Sequence, residues 1–447
     1  MKRLIDWHLE TWKSRNQRKP ILLKGARQVG KTYAVRQLGK QFKNFIEINF
    51  ELVPEAKTIF EKNLDPKRVI WELSLLTKTE IIPGETLLFF DEIQAAPKAI
   101  TALRYFYEEM PSLHVLAAGS LIDFAVEKVG MPVGRVNMLY VYPLSFLEFL
   151  AAINKTQFIE VILKEEHLSE IIHNQLLDLL GQYLAIGGMP EAVRAWIETN
   201  DPRASFEAQK GLLETYKLDF PKYAKRHQLP YLDILFNQIP HLIGNQFKYS
   251  AVHGDYKKRE LAPCLDLLCR ANVVHQVMHS AGNGLPLGAE VKLEWFKTLL
   301  LDVGLSQALL GLDLAAWFLN PDKEFVNRGL IAEAFVGQEL LAYSSPGSRG
   351  NLYFWKRDRP SAQAEVDYLC ENQHQIIPIE VKSGLGSSLR SMHSFLSERK
   401  ELKRGIRFWS KGFEITNSIE SKPLYAVATL ANEDQREAIK SLFDERI

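Results

Sequence analysis

The sequence predicts an α/β protein that begins with a parallel sheet and ends with a second α/β unit. Three observations support this class. A glycine-bounded loop at 25–32 lies between an apolar run at 21–23 and a helical pattern. A second apolar run, at 87–90, ends in two acidic residues. Near the C-terminus, two strand-like segments at 365–369 and 376–382 carry acidic residues and a lysine.

The loop at 25–32, Gly-Ala-Arg-Gln-Val-Gly-Lys-Thr, has the spacing of a phosphate-binding P-loop. Gly25 and Gly30 let the backbone approach phosphate oxygens and turn its N–H groups toward them. Lys31 would neutralise the β- and γ-phosphates, and the Thr32 hydroxyl would bind Mg²⁺. A chance match in a glycine loop is the alternative, but the flanking strand and helix favour ATP and Mg²⁺ as cofactors. The expected nucleotide-binding residues are Gly25, Ala26, Arg27, Gln28, Val29, Gly30, Lys31, Thr32 and Tyr33.

The apolar run at 87–90 reads as a buried strand that ends in Asp91 and Glu92. A parallel strand would carry Asp91 to the carboxyl edge of the sheet, beside the P-loop. We expect Asp91 to hold Mg²⁺, directly or through water, and Glu92 to act as the general base toward the attacking water. Coming after a complete P-loop, this pair predicts hydrolysis rather than phosphate transfer to a small molecule.

Two further positions are candidates for the same reaction. The run at 114–120 reads as a strand that ends in Ser120, which would lie near the γ-phosphate; the alternative is a serine that caps the next helix. Arg135 precedes a fifth strand at 136–142 and would project from the edge of the core. In a ring of subunits an arginine there could reach a neighbour's γ-phosphate. The alternative is an ordinary surface arginine.

Composition limits the class of protein. The 447 residues are too many for one typical core, so two to four domains are expected. A net charge of +1 argues against a generally basic nucleic-acid binder but leaves room for local basic patches. The three cysteines have no metal-ligand or disulfide spacing, and no apolar run has membrane-spanning length. We therefore expect a cytoplasmic protein without a membrane partner.

The motifs together resemble a family of bacterial and archaeal AAA+-like ATPases with a C-terminal domain of uncharacterised function. The matching segments, which extend the resemblance over nearly the whole chain, are 25–32, Phe-Asp-Glu-Ile-Gln at 90–94, Ala-Gly-Ser at 118–120, Gly-Arg-Val at 134–136, Tyr-Pro-Leu-Ser-Phe at 142–146 and Gly-Gly-Met-Pro-Glu-Ala at 187–192. The resemblance implies a P-loop NTPase sheet of order 5-1-4-3-2 followed by a helical lid. It also implies that Pro190 packs on the adenine base. A proline that simply ends a helix is the competing explanation.

We divide the chain into four parts: a P-loop ATPase core at 1–145, a helical lid at 146–205, a helical, winged-helix-like region at 206–318, and a C-terminal domain at 319–447. The winged-helix prediction depends on a helix followed by a strand near 261–277. Winged helices with basic flanks bind duplex DNA, but they also serve as protein-contact modules. The sequence leaves both partners open.

The C-terminal segments bring two carboxylates and a lysine together. If the hairpin is symmetric about Gln373 and His374, Asp367 lies opposite Glu380, and Lys382 shares the face of Glu380. Carboxylate pairs hold Mg²⁺ or Mn²⁺, and a lysine can position or activate water for phosphodiester hydrolysis. The alternative is a solvated cross-strand ion pair.

This arrangement resembles the PD-(D/E)xK restriction-endonuclease-like superfamily. Asp367, Glu380 and Lys382 match its Asp and Glu-x-Lys positions, and Glu333 matches an acidic residue on its first helix. The chain departs at Val366, where the fullest pattern has proline. The resemblance implies a metal held by Glu333, Asp367 and Glu380.

Two functions follow. The first is a Mg²⁺-dependent AAA+-like ATPase that couples ATP turnover to DNA-associated action of the nuclease-like domain, with a homo-oligomer or a protein partner as the alternative assemblies. The second is a nucleotide-gated switch that acts on protein partners, with the C-terminal domain as an inactive interaction module. DNA-stimulated ATP turnover would separate them.

Overall fold

The structure is a computed structural model of the 447-residue chain. It describes residues 1–312, 328–357, 364–372, 374–382, 389–399 and 401–443. The N-terminal strands are β1 (Ile21–Lys24), β2 (Asn44–Asn49), β3 (Thr86–Asp91), β4 (His114–Ala118) and β5 (Asn137–Tyr140). They form one parallel sheet in the order β2-β3-β4-β1-β5, which confirms the predicted order 5-1-4-3-2.

Helices cover both faces of this sheet. They are α1 (Leu4–Lys13), α2 (Lys31–Gly39), α3 (Pro66–Thr77), α4 (Pro97–Glu109) and α5 (Ile122–Val129). All six residues of β3 are buried, as expected for a strand whose two faces are covered. Because the strands are parallel, the segments that follow β1, β3 and β4 meet at one edge of the sheet.

A run of helices follows the sheet. They are α6 (Phe146–Ala152), α7 (Gln157–Leu163), α8 (Glu170–Ile186), α9 (Pro190–Thr199), α10 (Pro202–Asp219), α11 (Leu229–Gln238) and α12 (Lys258–Arg270). Ser145 and Glu148 form a capping box that fixes the start of α6. The predicted helical character of this region is therefore present.

The remaining elements build a second sheet. They are β6 (Val274–Ser280), β7 (Val291–Leu300), α13 (Val303–Leu309), α14 (Arg328–Ala342), β8 (Leu352–Lys356), β9 (Glu365–Asn372), β10 (Gln375–Lys382), α15 (Arg390–Glu398), β11 (Gly405–Trp409), β12 (Glu414–Thr416), β13 (Ile419–Pro423) and α16 (Glu433–Ser441). The strand order is β12-β13-β11-β10-β9-β8-β6-β7.

Two sequence expectations change here. β6 and β7 were placed in the winged-helix-like region before residue 319, but β6 pairs with both β7 and β8, so the two strands complete the C-terminal sheet. The apolar run at 424–428 also predicts a strand, but it belongs to a 3₁₀ helix, Leu424–Leu430, because the chain turns over the sheet after β13 instead of pairing. Gln373, at the centre of the expected hairpin turn, lies outside the described residues.

One continuous cluster of buried apolar side chains joins the two sheets through the helices. Leu23 of β1, Tyr183 of α8 and Ile379 of β10 all belong to it. A second cluster covers the other face of the N-terminal sheet. Among the described residues, no helix combines the length and the apolar character needed to cross a membrane.

Candidate nucleotide-binding site and C-terminal carboxylate cluster

The P-loop backbone follows β1 in a path that two glycines permit. A Cβ atom at Gly25 would lie 2.2 Å from the Val141 carbonyl oxygen, and the φ of Gly25 is 144°. Gly30 has a φ of 98° and immediately precedes α2. Gln28 also has a positive φ, 61°, a conformation that is uncommon for residues other than glycine. The loop is therefore fixed in a left-handed path that turns toward the start of α2.

The other residues of the loop lie on either side of this path. Ala26 and Val29 are buried, and they anchor the loop to the core. Tyr33 lies on the exposed side of α2, where its hydroxyl contacts the amino group of Met1 at 3.1 Å. A direct nucleotide contact by Tyr33 stays a prediction.

The Lys31 side chain is buried and folds back against the P-loop backbone. Its Nζ donates to the carbonyl oxygens of Gly25 at 3.0 Å and Ala26 at 2.6 Å. Burial lowers the pKa of Lys31 to about 8, while the charges of Glu92 and Asp91 oppose that shift. The amine is thus held in the loop by two neutral carbonyl oxygens.

The Mg²⁺ residues predicted from the sequence are in contact. The Thr32 hydroxyl donates to Asp91 Oδ2 at 3.1 Å, and the Asn49 amide donates to the same oxygen at 3.2 Å. The backbone N–H of Glu92 donates to Asp91 Oδ1 at 3.0 Å. Burial, followed by the Glu92 charge, raises the pKa of Asp91. Hydroxyl, amide and carboxylate oxygens are ligands that Mg²⁺ accepts, so these residues fit the ion.

Glu92 follows β3 in a left-handed conformation, with a φ of 50°. Its carboxylate accepts a hydrogen bond from Gln94 Nε2 at 2.5 Å. A non-glycine residue in this region is uncommon and is often found at functional sites. Glu92 therefore lies at the carboxyl edge of the sheet with its side chain oriented by Gln94.

Ser120 lies just beyond β4, next to the strand that leads into the P-loop. The preceding residue, Gly119, donates its N–H to the Leu23 carbonyl at 3.3 Å. Ser120 is buried, and its hydroxyl has no hydrogen-bond partner among the described residues. It does not cap α5, whose first residue is Ile122 and whose N-cap is Leu121. The capping alternative therefore fails, and a role near the γ-phosphate stays a prediction.

Arg3 holds the P-loop from the N-terminal segment. Its Nη1 donates to the Val29 carbonyl at 2.9 Å, and its Nη2 donates to the Tyr142 carbonyl at 2.8 Å. Its Nε pairs with Glu148 at 2.8 Å, and both side chains are buried. One guanidinium thus joins the P-loop, the segment after β5 and α6.

Arg27 holds the other side of the loop to α10. Its guanidinium pairs with Asp219 at 2.8 Å. The Tyr216 hydroxyl donates to the Arg27 carbonyl oxygen at 2.6 Å. Arg27 therefore serves the P-loop as an anchor, and a direct nucleotide contact by this residue stays a prediction.

Pro190 lies beside the P-loop. A Cβ atom at Gly30 would be 3.7 Å from Pro190 Cγ. Pro190 is the first residue of α9, a favourable position for proline, so the alternative that it ends a helix is wrong. Its place next to Gly30 is compatible with contact to the base, which stays a prediction.

The glycine pair before Pro190 is held by a buried carboxylate. Asp302 Oδ2 accepts the N–H of Gly188 at 2.6 Å. A Cβ atom at Gly187 would lie 2.2 Å from Asp302 Oδ1, so only glycine fits. Burial raises the pKa of Asp302 to about 6. The segment after β7 thereby fixes the turn that places Pro190.

Arg135 lies away from the P-loop of its own chain. It precedes β5, whose first residue donates its N–H to the Pro20 carbonyl at 2.9 Å, before β1 begins. Arg135 is thus at the amino edge of the sheet, opposite the P-loop edge. Its Nε pairs with Glu108 at 2.6 Å, and the side chain is 44% exposed. Contact with a neighbouring subunit stays a prediction.

The C-terminal hairpin has the register that the sequence predicts. Ile377 pairs with Cys370 and Ile379 with Tyr368, and the next pair in this register would be Glu380 with Asp367. Against β8, however, β9 advances three residues from Val366 to Leu369 while β8 advances two. This extra residue is a bulge between Val366 and Leu369, the segment of β9 that contains Asp367.

The carboxylates of Glu380 and Asp367 lie near enough for the charge of one to affect the pKa of the other. Glu380 is buried, its Oε1 pairs with Lys382 Nζ at 2.6 Å, and its Oε2 has no partner among the described residues. Burial, followed by the Asp367 charge, raises the pKa of Glu380 to about 7. Asp367 Oδ2 accepts the Val381 N–H at 2.7 Å, and burial raises its pKa.

Glu333 has a different partner. Its Oε1 pairs with Lys297 Nζ at 2.8 Å, and the same amine pairs with Glu365 Oε1 at 2.6 Å. Burial raises the pKa of Glu333 to about 7, while the Lys297 charge opposes the shift. Within the described ranges, no three His, Cys, Asp or Glu side chains are placed so that they could hold a metal ion.

Residues 17–150 match the family model described as an AAA domain. The match supports an AAA-like, nucleotide-binding ATPase domain in the N-terminal part. Residues 177–316 match a domain of unknown function (DUF8612), and residues 328–430 match another (DUF4143). No curated protein is similar enough to the chain to count as a match.

Sequence reasoning missed several residues that hold the AAA domain's site. Asn49 could have been found, because it ends the strand beside β3 and so meets Asp91 at the same edge. Arg3, Asp219 and Asp302 carry no local signal, since each contacts a residue more than a hundred positions away: Tyr142, Arg27 and Gly188, respectively. Lys297 likewise stands out only when β7 is placed beside α14.

Proposed function

We propose that the AAA domain binds ATP with Mg²⁺ and hydrolyses it. The observation that carries this proposal is the contact of Thr32, Asn49 and Asp91 beside a P-loop in a left-handed path. Lys31 would move from the loop carbonyls to the β- and γ-phosphates. Thr32 and Asp91 would hold Mg²⁺, which screens the phosphate charge.

Glu92 is the proposed general base. Its carboxylate would accept a proton from water as that water attacks the γ-phosphorus, and the bond to the β–γ bridging oxygen breaks. Gln94 would keep the carboxylate oriented, and Ser120 would lie near the water. Pro190 would pack on the adenine base. The products are ADP and inorganic phosphate.

The experiment is phosphate release and ATP binding by the full chain with Mg²⁺. Glu92→Gln should retain ATP and lose turnover by about 100-fold or more, because only the base is removed. Phosphate release at the wild-type rate in Glu92→Gln would show that the assigned role is wrong. The absence of ATP binding in the wild-type chain would refute the whole proposal.

The function downstream of hydrolysis is best described as a nucleotide-gated switch. The support is the contact of Asp302 with Gly188, because it ties the turn beside the P-loop to the chain segment that leads from β7. A change at the nucleotide would be transmitted to the C-terminal unit and alter its protein partners. DNA-independent ATP turnover supports this reading, and strong stimulation by DNA contradicts it.

Metal-dependent action on DNA by the C-terminal unit is a second candidate. The unpaired Glu380 Oε2 beside Asp367 favours it. Asp367 and Glu380 would hold a divalent cation without Glu333, which pairs with Lys297, and Lys382 would position water. Asp367→Ala should then abolish cleavage of plasmid DNA and leave ATP hydrolysis intact. No cleavage by the wild-type chain with Mg²⁺ or Mn²⁺ would remove this candidate.

Arg135 would act in trans if the chain assembles into a ring. In that arrangement it would leave Glu108 and approach the γ-phosphate of a neighbour. Mixing Arg135→Ala with Glu92→Gln subunits should restore part of the turnover that each lacks. A monomer with full activity would dispose of this role.

A further inference from the structure

Lys297 is a cation held inside the C-terminal unit. Its side chain is 2% exposed, and its amine lies 2.8 Å from Glu333 Oε1 and 2.6 Å from Glu365 Oε1. The Phe354 ring lies 5.1 Å from the same amine. Asp367 also contributes a nearby negative charge. Three carboxylates and an aromatic ring therefore surround one amine.

The lysine comes from a different part of the chain than its partners. Lys297 is on β7, within the residues that match the first domain of unknown function, whereas Glu333, Glu365 and Asp367 lie within the second. β7 is held in the sheet by pairing with β6, where Lys297 lies opposite Val277. The two matched regions thus share one ion-pair cluster.

The position of the amine matters for cation binding. A divalent ion needs oxygen ligands at about 2.0–2.6 Å. An amine that already contacts Glu333 and Glu365 fills the space between those two carboxylates. Because the side chain is buried, it cannot swing into solvent without opening the cluster.

We propose that Lys297 is a built-in counter-ion that takes the place of a metal between Glu333 and Glu365. The positive charge that neutralises these carboxylates is therefore covalently part of the chain. Glu333 is then not available as a metal ligand, which separates it from Asp367 and Glu380. The inference concerns this cluster alone and does not depend on ATP hydrolysis.

The test is Mn²⁺ binding to the full chain without nucleotide, measured by calorimetry and by the shift of the unfolding temperature. Lys297→Met should gain at least about 10-fold in Mn²⁺ affinity, because it exposes an uncompensated carboxylate pair. Adding Glu333→Gln to Lys297→Met should remove the gain. The matched control is Lys356→Met, since Lys356 pairs with Glu365 at 3.2 Å but leaves Lys297 in place. The control should bind Mn²⁺ as the wild type does.

Each outcome decides the proposal. An unchanged Mn²⁺ affinity in Lys297→Met overturns it. Mn²⁺ binding by the wild type that is lost in Glu333→Gln also overturns it, because the metal would then share the carboxylate with the lysine. If Lys297→Met and the milder Lys297→Gln both fail to fold without metal, Mn²⁺ should restore folding. Failure of that rescue contradicts the proposal.

Discussion

The buried carboxylates beside the P-loop and those in the C-terminal cluster have different partners. Asp91 beside the P-loop accepts hydrogen bonds from a hydroxyl, an amide and a backbone N–H, all of them neutral. In the C-terminal cluster, Glu333 and Glu365 share the Lys297 amine, and Glu380 pairs with Lys382. Neutral donors leave the negative charge for an incoming cation, whereas lysines neutralise it within the chain.

Acidic residues alone therefore do not identify a metal site. The negative charge of a buried carboxylate can be neutralised by a bound cation or by a charged side chain, and hydrogen bonds or protonation can also lower its cost. The P-loop region is arranged for the first solution and the C-terminal cluster largely for the second. Variants that replace one residue at a time test whether the two sites differ in this way.

The largest effect is expected at Lys31. Lys31→Ala should lower ATP turnover by about 100-fold or more, because the phosphates lose the fixed cation that stabilises their developing charge. Phosphate release and ATP binding are the measurements. The matched control is Lys40→Ala, since Lys40 is exposed just beyond α2. Equal turnover in Lys31→Ala and Lys40→Ala would show that Lys31 does not stabilise the phosphate charge.

An intermediate effect is expected at Glu380. Its folded-state pKa of about 7 lies above the ordinary value of 4.5, so its contribution to stability is complete below pH 4.5 and is lost as pH rises through 7. Glu380→Gln cannot ionise, so its stability should not fall over this pH range. The substitution also removes the ion pair with Lys382, but Lys382 is partly exposed, so this loss costs little. We expect the free energy of unfolding of the variant to exceed that of the wild type by about 1–3 kcal/mol at pH 8 and to equal it near pH 4.5.

Chemical unfolding at the two pH values checks this prediction. Glu371→Gln is the control, because Glu371 lies exposed on the neighbouring strand β9. A variant that is less stable than the wild type at pH 8 would show that ionised Glu380 stabilises the fold. The Lys382 pair would then outweigh the burial of the carboxylate.

The smallest effect is expected at Arg135. Its pair with Glu108 is exposed, so Arg135→Ala should leave the free energy of unfolding nearly unchanged. ATP affinity should stay the same, because Arg135 lies at the opposite edge of the sheet. Turnover should fall only in an assembly of subunits. A loss of ATP affinity in dilute, monomeric protein would contradict the placement.

The sequence predicted those parts of the molecule whose signal is local. The P-loop and the Asp91–Glu92 strand were found because strand, loop and helix follow one another directly in the chain, whereas the order of the first sheet came from the family resemblance. The hairpin register around Asp367 and Glu380 was found for the same reason. Alternation along a strand and spacing in a loop are properties of a few adjacent residues.

The parts that sequence reasoning missed depend on distant segments. Nothing near Lys297 indicates that β7 joins the C-terminal sheet and brings an amine to Glu333. The segment at 424–428 has the apolar content of a strand, but the chain turns there into a 3₁₀ helix. The bulge at Asp367 is decided by pairing with β8. Tertiary context overrides local preference in each case.

The contacts that Asp219 and Asp302 make around the P-loop can form only late in synthesis of the chain. The ribosome completes the P-loop and Asp91 early, but Asp219, which holds Arg27, and Asp302, which fixes the turn before Pro190, emerge much later. Domains generally begin folding during synthesis, N-terminal part first. A nascent chain that ends at residue 150 carries the AAA motifs without these supports. The nucleotide site therefore acquires its final rigidity only after more than 300 residues have been translated.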